Sequence, residues 1–157
     1  MLSNLKTDWD MMAVNSHYQT VEAAQTLLQQ GEMDEAKAAL QALVDAMSRS
    51  ERQAVKSQLT RLMMHIIKWK TQLDKRSLSW IISILDVRDA IEESQEEMLS
   101  LNREFIESLW DQCFIKAKRK AEAEMNCKSS ISFLTWEEVF EDEEVFEDEY
   151  IGVEYGY

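Results

Sequence analysis

The feature that most limits the folds open to this chain is the near absence of residues that make turns. Among its 157 residues there is no proline, and the three glycines are Gly31, Gly152 and Gly156. Strands need tight turns, which favour glycine and proline, so residues 32–151 are expected to form helices joined by short polar breaks. Met, Leu, Ala, Glu and Gln are abundant and favour helices. We predict an all-α fold, a single-domain helical bundle of about four to five helices with an acidic C-terminal tail.

Apolar residues that recur at three- and four-residue spacing locate the helices. The predicted helices cover residues 7–30, 32–47, 77–98 and 100–126, with one more between Ser48 and a break at Leu73–Ser77. Asn15–Ser16 is a point at which the first helix could split, and Gly31 is predicted to end it. Ser48 and Glu51 have the spacing of a capping box, which predicts a helix start at Ser48. Residues 126–135 are predicted to form a polar connector.

The predicted helix of residues 77–98 is apolar on two nearly opposite faces. One face carries Leu78, Ile81, Ile82 and Leu85, and the other carries Trp80, Ile84, Val87, Ile91 and Met98. This pattern is typical of a helix that is sandwiched between neighbours, or that is half core and half interface.

The acidity of the chain is concentrated at its C-terminal end. The net charge is −13, of which residues 137–157 supply −10 through ten acidic and no basic residues. The sequence EEVFED occurs there twice without interruption, at residues 137–142 and 143–148. A segment of such charge density is not expected to fold by itself. We predict a helical bundle domain at residues 1–130 and an acidic-aromatic tail at residues 131–157, docked or partly disordered.

Several classes of protein and site are disfavoured by the sequence. No apolar run approaches the roughly 20 residues of a membrane span, and MLSNLKTDWD lacks the order of a signal peptide. Cys113 and Cys127 make no disulfide framework, which favours a reducing cytoplasm. The histidines and cysteines match no zinc spacing, and no glycine-rich phosphate loop is present. No metal site, cofactor or catalytic set is predicted, and the sequence leans away from an enzyme without deciding the question.

The strongest candidates for a binding site lie around the break at Leu73–Ser77. They are His65, Trp69, Arg76, Ser77 and Trp80. His65 is either a residue at the edge of an apolar helix face or a base or ligand in a pocket lined by tryptophan. Arg76 either forms a salt bridge to an acidic segment or holds an anion at a helix start.

A basic surface is predicted beside these candidates. Residues 49–76 carry a net charge of +6. The residues assigned to this surface are Arg49, Arg52, Lys56, Arg61 and Lys68. On a chain of net charge −13, such a segment is poor evidence for binding to nucleic acid. The acidic tail is the partner closest at hand.

Four short motifs follow one another in residues 49–80. They are Arg49-Ser50-Glu51-Arg52, Ser57-x-Leu59, Leu62-Met63-Met64-His65-Ile66-Ile67-Lys68-Trp69 and Arg76-Ser77-x-Ser79-Trp80. In order and spacing they resemble the family called domain of unknown function 29, which is mostly cyanobacterial with some other bacteria. The chain departs from the family pattern at Ser48, where glycine is common, and at Leu73, where proline is usual. The resemblance implies an all-helical soluble domain and supplies no reaction, substrate or site residue.

Three hypotheses about function follow. The leading one is a helical protein-interaction or regulatory module whose acidic tail docks on its own basic surface or on another chain. Its partner would be another protein or a second copy of the chain, with membranes and nucleic acid disfavoured. The alternatives are a ligand-binding or hydrolytic pocket around His65, Trp69, Arg76 and Trp80, and an acidic mimic of nucleic acid that inhibits a nucleic-acid-binding protein.

Overall fold

A computed structural model of the chain describes residues 7–143, and these residues are helical with no β-strand. The α-helices are α1 (Trp9–Asn15), α2 (His17–Gln29), α3 (Met33–Thr71), α4 (Leu78–Glu97), α5 (Arg103–Ser108) and α6 (Trp110–Met125). A 3-10 turn covers Leu73–Lys75, and a single π-helical turn, called the π turn below, covers Glu137–Glu141. The all-α prediction is confirmed, although the number of α-helices in this part of the chain is six. Within residues 7–143, no helix has the length and apolar character that a membrane span requires.

The chain divides into two compact units, one within Met1–Gln53 and the other within Ala54–Tyr157. The predicted boundary between a bundle at residues 1–130 and a tail at residues 131–157 stays a prediction. Residues 144–157, with most of the second EEVFED sequence, lie outside the described residues.

The N-terminal unit contains α1, α2 and the first part of α3. The predicted helix of residues 7–30 is split at Ser16, whose backbone is extended and whose hydroxyl accepts a hydrogen bond from the Gln19 N–H. Ser16 therefore starts a new helix, as serine does at helix N-termini. Gly31 has a φ of +78°, which confirms that it stops the helix, because glycine adopts left-handed backbone without strain. A small cluster of Ala13, Ala42 and Ala46 packs against Trp9.

The predicted helix start at Ser48 is wrong, because α3 continues through it from Met33 to Thr71. A capping box requires an N-cap residue outside the helix, and Ser48 lies well inside one. No proline or glycine occurs between Met33 and Thr71 to interrupt the backbone hydrogen bonds. Residues 47–54 contain no buried side chain. The polar stretch in the sequence therefore marks the boundary between the two units and not the end of a helix.

The predicted break at Leu73–Ser77 and the helix that follows it are confirmed. The 3-10 turn Leu73–Lys75 ends α3, and the Ser77 hydroxyl accepts a hydrogen bond from the Trp80 N–H at the start of α4. Only one side of α4 is deeply buried, at Ile81, Ile84, Val87 and Ile91. Ile82 and Leu85 are 49% and 42% exposed. Within the described chain α4 is therefore not sandwiched, and its role as half of an interface stays a prediction.

The C-terminal unit has a large apolar core. Its fully buried members include Leu59, Leu62, Met63, Ile67 and Trp69 of α3, Ile84 of α4 and Ile106 of α5. The predicted helix of residues 100–126 is divided at Leu109 into α5 and α6, and the left-handed backbone of Asn126 ends α6. The predicted polar connector of residues 126–135 also contributes to the core, since Leu134 is buried.

Replacement of Arg49 by proline tests whether α3 is continuous. Inside a helix, proline removes a hydrogen bond and collides with the preceding turn, which costs about 3 kcal/mol. Arg49→Pro should therefore lower the free energy of unfolding by about that amount, as measured by far-UV circular dichroism in urea. Arg49→Ala is the matched control and should change little. If a helix began at Ser48, Arg49 would be its first residue, where proline is tolerated, and the two variants would be equally stable.

Candidate functional site

The described part of the acidic tail is fastened to the C-terminal unit by Arg88 of α4. Its Nε donates to the Val139 carbonyl oxygen at 2.8 Å, Nη2 donates to the Glu138 carbonyl oxygen at 3.3 Å, and both Nη atoms reach the Asp142 carbonyl oxygen at 3.4 Å. Burial lowers the pKa of Arg88, and the carboxylates of Asp142 and Glu143 act in the opposite direction. One half-buried guanidinium thus binds three main-chain carbonyls, two within the π turn and one directly after it.

A capping box starts the π turn. The Thr135 hydroxyl accepts from the Glu138 N–H at 3.2 Å, and Glu138 Oε1 accepts from the Thr135 N–H at 3.1 Å. Thr135 and Glu138 have the T-x-x-E spacing of this motif. The Lys70 ammonium of α3 forms an ion pair with the other carboxylate oxygen of Glu138. Glu138 therefore holds the turn together and joins it to α3.

Apolar contacts complete the attachment. Val139 is fully buried in the core of the C-terminal unit. The Trp136 ring stacks on Trp110 of α6 with centroids 5.6 Å apart, and Phe140 packs against Trp136 at 4.4 Å. The guanidinium of Arg103 in α5 lies over the Trp136 ring at 4.3 Å. We call Lys70, Arg88, Arg103 and Trp110, one residue from each of α3–α6, the tail-binding surface.

A cavity of about 150 Å³ lies between the π turn and the helices. Its lining residues are Ile66, Trp69, Lys70, Arg76, Arg88, Glu138 and Asp142. A water molecule occupies about 30 Å³ of liquid, and pockets for drug-sized ligands begin at about 300 Å³. The cavity is thus large enough for a few waters or a small anion. Its lining includes three cationic side chains, those of Lys70, Arg76 and Arg88.

Two of the five predicted binding residues meet at this cavity. Arg76 donates from Nε to the Trp69 carbonyl oxygen at 2.9 Å, and its guanidinium lies 4.5 Å over the Trp69 ring. His65 and Trp80 are not among the lining residues. Ser77 caps α4, and its hydroxyl also bonds that of Ser79 at 2.9 Å.

His65 and Trp80 belong to a different group of side chains. Lys68 forms an ion pair with Glu124 of α6 at 2.8 Å, and its ammonium lies 5.0 Å from the centroid of Trp80. Burial lowers the pKa of His65, Lys68 and Arg61 lower it further, and Glu124 opposes them. The Nδ1 atom of His65 is buried and has no hydrogen-bond partner among the described residues. These features favour neutral His65 at neutral pH.

The residues of the predicted basic surface are divided between the two units. Arg49 and Arg52 belong to the N-terminal unit, whereas Lys56, Arg61 and Lys68 belong to the C-terminal unit. Binding of an anionic partner by these residues stays a prediction. Among residues 7–143, no three His, Cys, Asp or Glu side chains lie close enough together to hold a metal ion.

Arg88 is the functional candidate that the sequence analysis missed. In the sequence Arg88 is one of two basic residues, with Arg103, against nine acidic residues in residues 86–111, so this composition gives no sign of a special role. The available signal was its position four residues after Ile84 and three before Ile91, both buried. This spacing places Arg88 on the side of α4 that faces the core, where a cation needs a partner.

The family to which the chain belongs is the one described as "Domain of unknown function DUF29", whose model matches residues 15–151. This match confirms the resemblance found in residues 49–80 and extends it over most of the chain. Neither the curated proteins nor the solved structures gave a match. The family description names no reaction.

Replacement of Arg88 tests the attachment of the π turn. Arg88→Met keeps a long side chain but leaves the three carbonyl oxygens without their donors. Hydrogen bonds to charged groups contribute about 1.5–3 kcal/mol. The free energy of unfolding of Arg88→Met, measured in urea, should therefore be lower than that of the parent protein by about that amount. The exposed Arg119 provides the control, and Arg119→Met should leave the midpoint unchanged. Equal stability of the two variants would contradict the role given to Arg88.

The lowered pKa of His65 predicts a dependence of stability on pH. The unfolded chain binds a proton at the ordinary value of 6.5, whereas folded His65 resists it. The folded state therefore has its full stability above pH 6.5, where His65 is neutral in both states. It loses stability as the pH falls below 6.5, because the unfolded chain takes up the proton first. The melting temperature should fall between about pH 7.5 and about pH 5.5, a range above the titration of Glu124.

His65→Gln should reduce this fall in the melting temperature. The control is His17→Gln, at an exposed histidine, which should keep the pH dependence of the parent protein. If His65→Gln keeps it as well, another group is responsible.

Proposed function

We propose that this protein is a small helical protein-interaction module regulated by its own acidic tail. In the resting state residues 135–142 occupy the tail-binding surface. A partner protein that presents an acidic-aromatic segment of the same kind competes for that surface. The single observation that carries the proposal is the set of hydrogen bonds from Arg88 to three main-chain carbonyls of the tail.

The chemistry of the contact is that of peptide recognition. Main-chain hydrogen bonds give affinity for any segment of suitable shape, and side-chain pockets add specificity. Arg88 supplies the main-chain contacts. The burial of Val139 and the ion pair of Glu138 with Lys70 select an apolar residue that follows an acid. The surface is therefore suited to a short turn that carries glutamate, valine and an aromatic residue.

Two features support the view that the π turn is a docked segment, able to leave the surface, and not a permanent part of the core. A cavity of about 150 Å³ lies between the π turn and the helices, so part of the turn is not packed directly against them. The connector before the turn exposes Ser130, Ser132 and Phe133 and forms no helix, so release of the turn withdraws Leu134 from the core but unfolds no helix. Release of the segment would uncover Lys70, Arg76 and Arg88 together.

The two alternatives have less support. A ligand-binding or hydrolytic pocket requires His65, Trp69, Arg76 and Trp80 at one cavity, and of these four only Trp69 and Arg76 line the cavity at the π turn. A mimic of nucleic acid requires both EEVFED sequences on the surface. In the first of them Val139 is buried, and most of the second lies outside the described residues.

Cleavage of the connector tests the proposal on a chain that has folded with its tail in place. A specific protease site is inserted between Ser132 and Phe133, both exposed, and the purified protein is cut. Residues 133–157 should stay bound at micromolar concentration. A fluorescein-labelled peptide of residues 133–143 should then exchange into the surface, as measured by fluorescence anisotropy.

Two controls make the result specific. A peptide with aspartate at the position of Val139 should not exchange, and Arg88→Met should weaken binding of the parent peptide at least tenfold, since tenfold corresponds to about 1.4 kcal/mol. Uncut protein should bind the peptide far more weakly, because a tethered segment competes at about millimolar effective concentration. If the cut segment never exchanges, it is a core element and the proposal fails.

A further inference from the structure

The exact duplication of the docked hexapeptide has a structural consequence. Residues 137–142 and 143–148 are both EEVFED, and we call them the first and second hexapeptides. We propose that the second hexapeptide binds the same tail-binding surface as the first, in a register shifted by six residues. This proposal rests on the docking contact put forward above, but not on the identity of any outside partner.

The contacts made by the hexapeptide itself transfer without loss. Arg88 binds main-chain carbonyls, which every residue provides. In the shifted register Val145 takes the buried place of Val139, and Glu144 takes the place of Glu138 opposite Lys70. Phe146 likewise replaces Phe140, because the order of residues is the same.

The two registers differ in the three residues that precede each hexapeptide. Leu134, Thr135 and Trp136 precede the first, whereas Phe140, Glu141 and Asp142 precede the second. Glutamate has no hydroxyl to cap the turn, and aspartate cannot stack on Trp110. The first register therefore keeps the capping box and the aromatic contacts of Trp136, and the second register loses them. This difference explains why the first hexapeptide is the one docked in the structure.

The longer connector of the second register disfavours docking much less than the loss of these contacts does. The shift adds six residues to the ten-residue connector of residues 126–135. By the three-halves power of loop length this reduces the population of the closed form only about twofold. The preference between registers therefore depends on the buried Leu134 and on Thr135 and Trp136, and it is removed when the first hexapeptide is bound elsewhere.

The duplication keeps the tail-binding surface covered when the first hexapeptide leaves it, because the second then fills the site of Val139. With a single copy, the same event would expose the tail-binding surface and the apolar residues under it.

The test uses charge substitution at the buried valine in the uncut, full-length chain. Val139→Asp/Val145→Asp leaves no hexapeptide able to dock, and an aspartate at a buried site is strongly unfavourable. Its melting temperature should fall by about 10 °C or more, at the roughly 4 °C per kcal/mol typical of domains this size. Val139→Asp alone should lose less than half of that, because the second hexapeptide replaces the first. Val145→Asp alone should change nothing.

A second experiment measures a gain of stability. Glu141→Thr/Asp142→Trp places directly before the second hexapeptide the same two residues that directly precede the first. Added to Val139→Asp, this pair should restore most of the lost melting temperature. Added to Val139→Asp/Val145→Asp, it should restore none.

The outcomes separate the two proposals. If Val139→Asp is as unstable as the double variant and gains nothing from Glu141→Thr/Asp142→Trp, the second hexapeptide does not dock and this inference is overturned. Exchange of a free peptide into the cut protein would still support the interaction module. If neither hexapeptide exchanges from the cut protein, both proposals fail.

Discussion

The hydrogen bonds of Arg88 to the π turn are the interaction on which the C-terminal end of the described chain depends. Residues 136–142 have few partners among themselves, and their carbonyls would be unsatisfied against an apolar core. Arg88 reaches three of these carbonyls from a single point on α4. Removing a cation from water is costly, and burial accordingly lowers the pKa of Arg88. The carbonyls and the nearby Asp142 and Glu143 offset that cost.

Around this contact, charged and apolar contacts contribute differently to the binding of the tail. The burial of Val139 and the stacking of Trp136 on Trp110 determine which residues of the tail can dock. The ion pair of Lys70 with Glu138 determines the sign of charge that is accepted. The capping box of Thr135 and Glu138 sets the register.

Much of the fold followed from local rules, and the failures have a common cause. The stop at Gly31, the break at Leu73–Ser77 and the possible split at Asn15–Ser16 depend on residues within about one helical turn, so the sequence analysis located them. Ser48 and Glu51 satisfied a local rule as well, that of the capping box, but lie inside α3. A cap signal is only permissive, because a run without proline or glycine can continue the helix with one hydrogen bond per residue.

The sequence by itself determined that the chain is helical, where most helices end and that its charge is polarised, because these properties depend on residue type and on neighbours a few positions away. The tertiary structure alone decided that Trp69 and Arg76 line one cavity and that His65 and Trp80 do not line it. It also decided that Arg88 binds residues about 50 positions distant. The physical reason is that such contacts depend on how α3, α4, α6 and the tail pack, and helical periodicity gives the face of a residue but not the partner it meets.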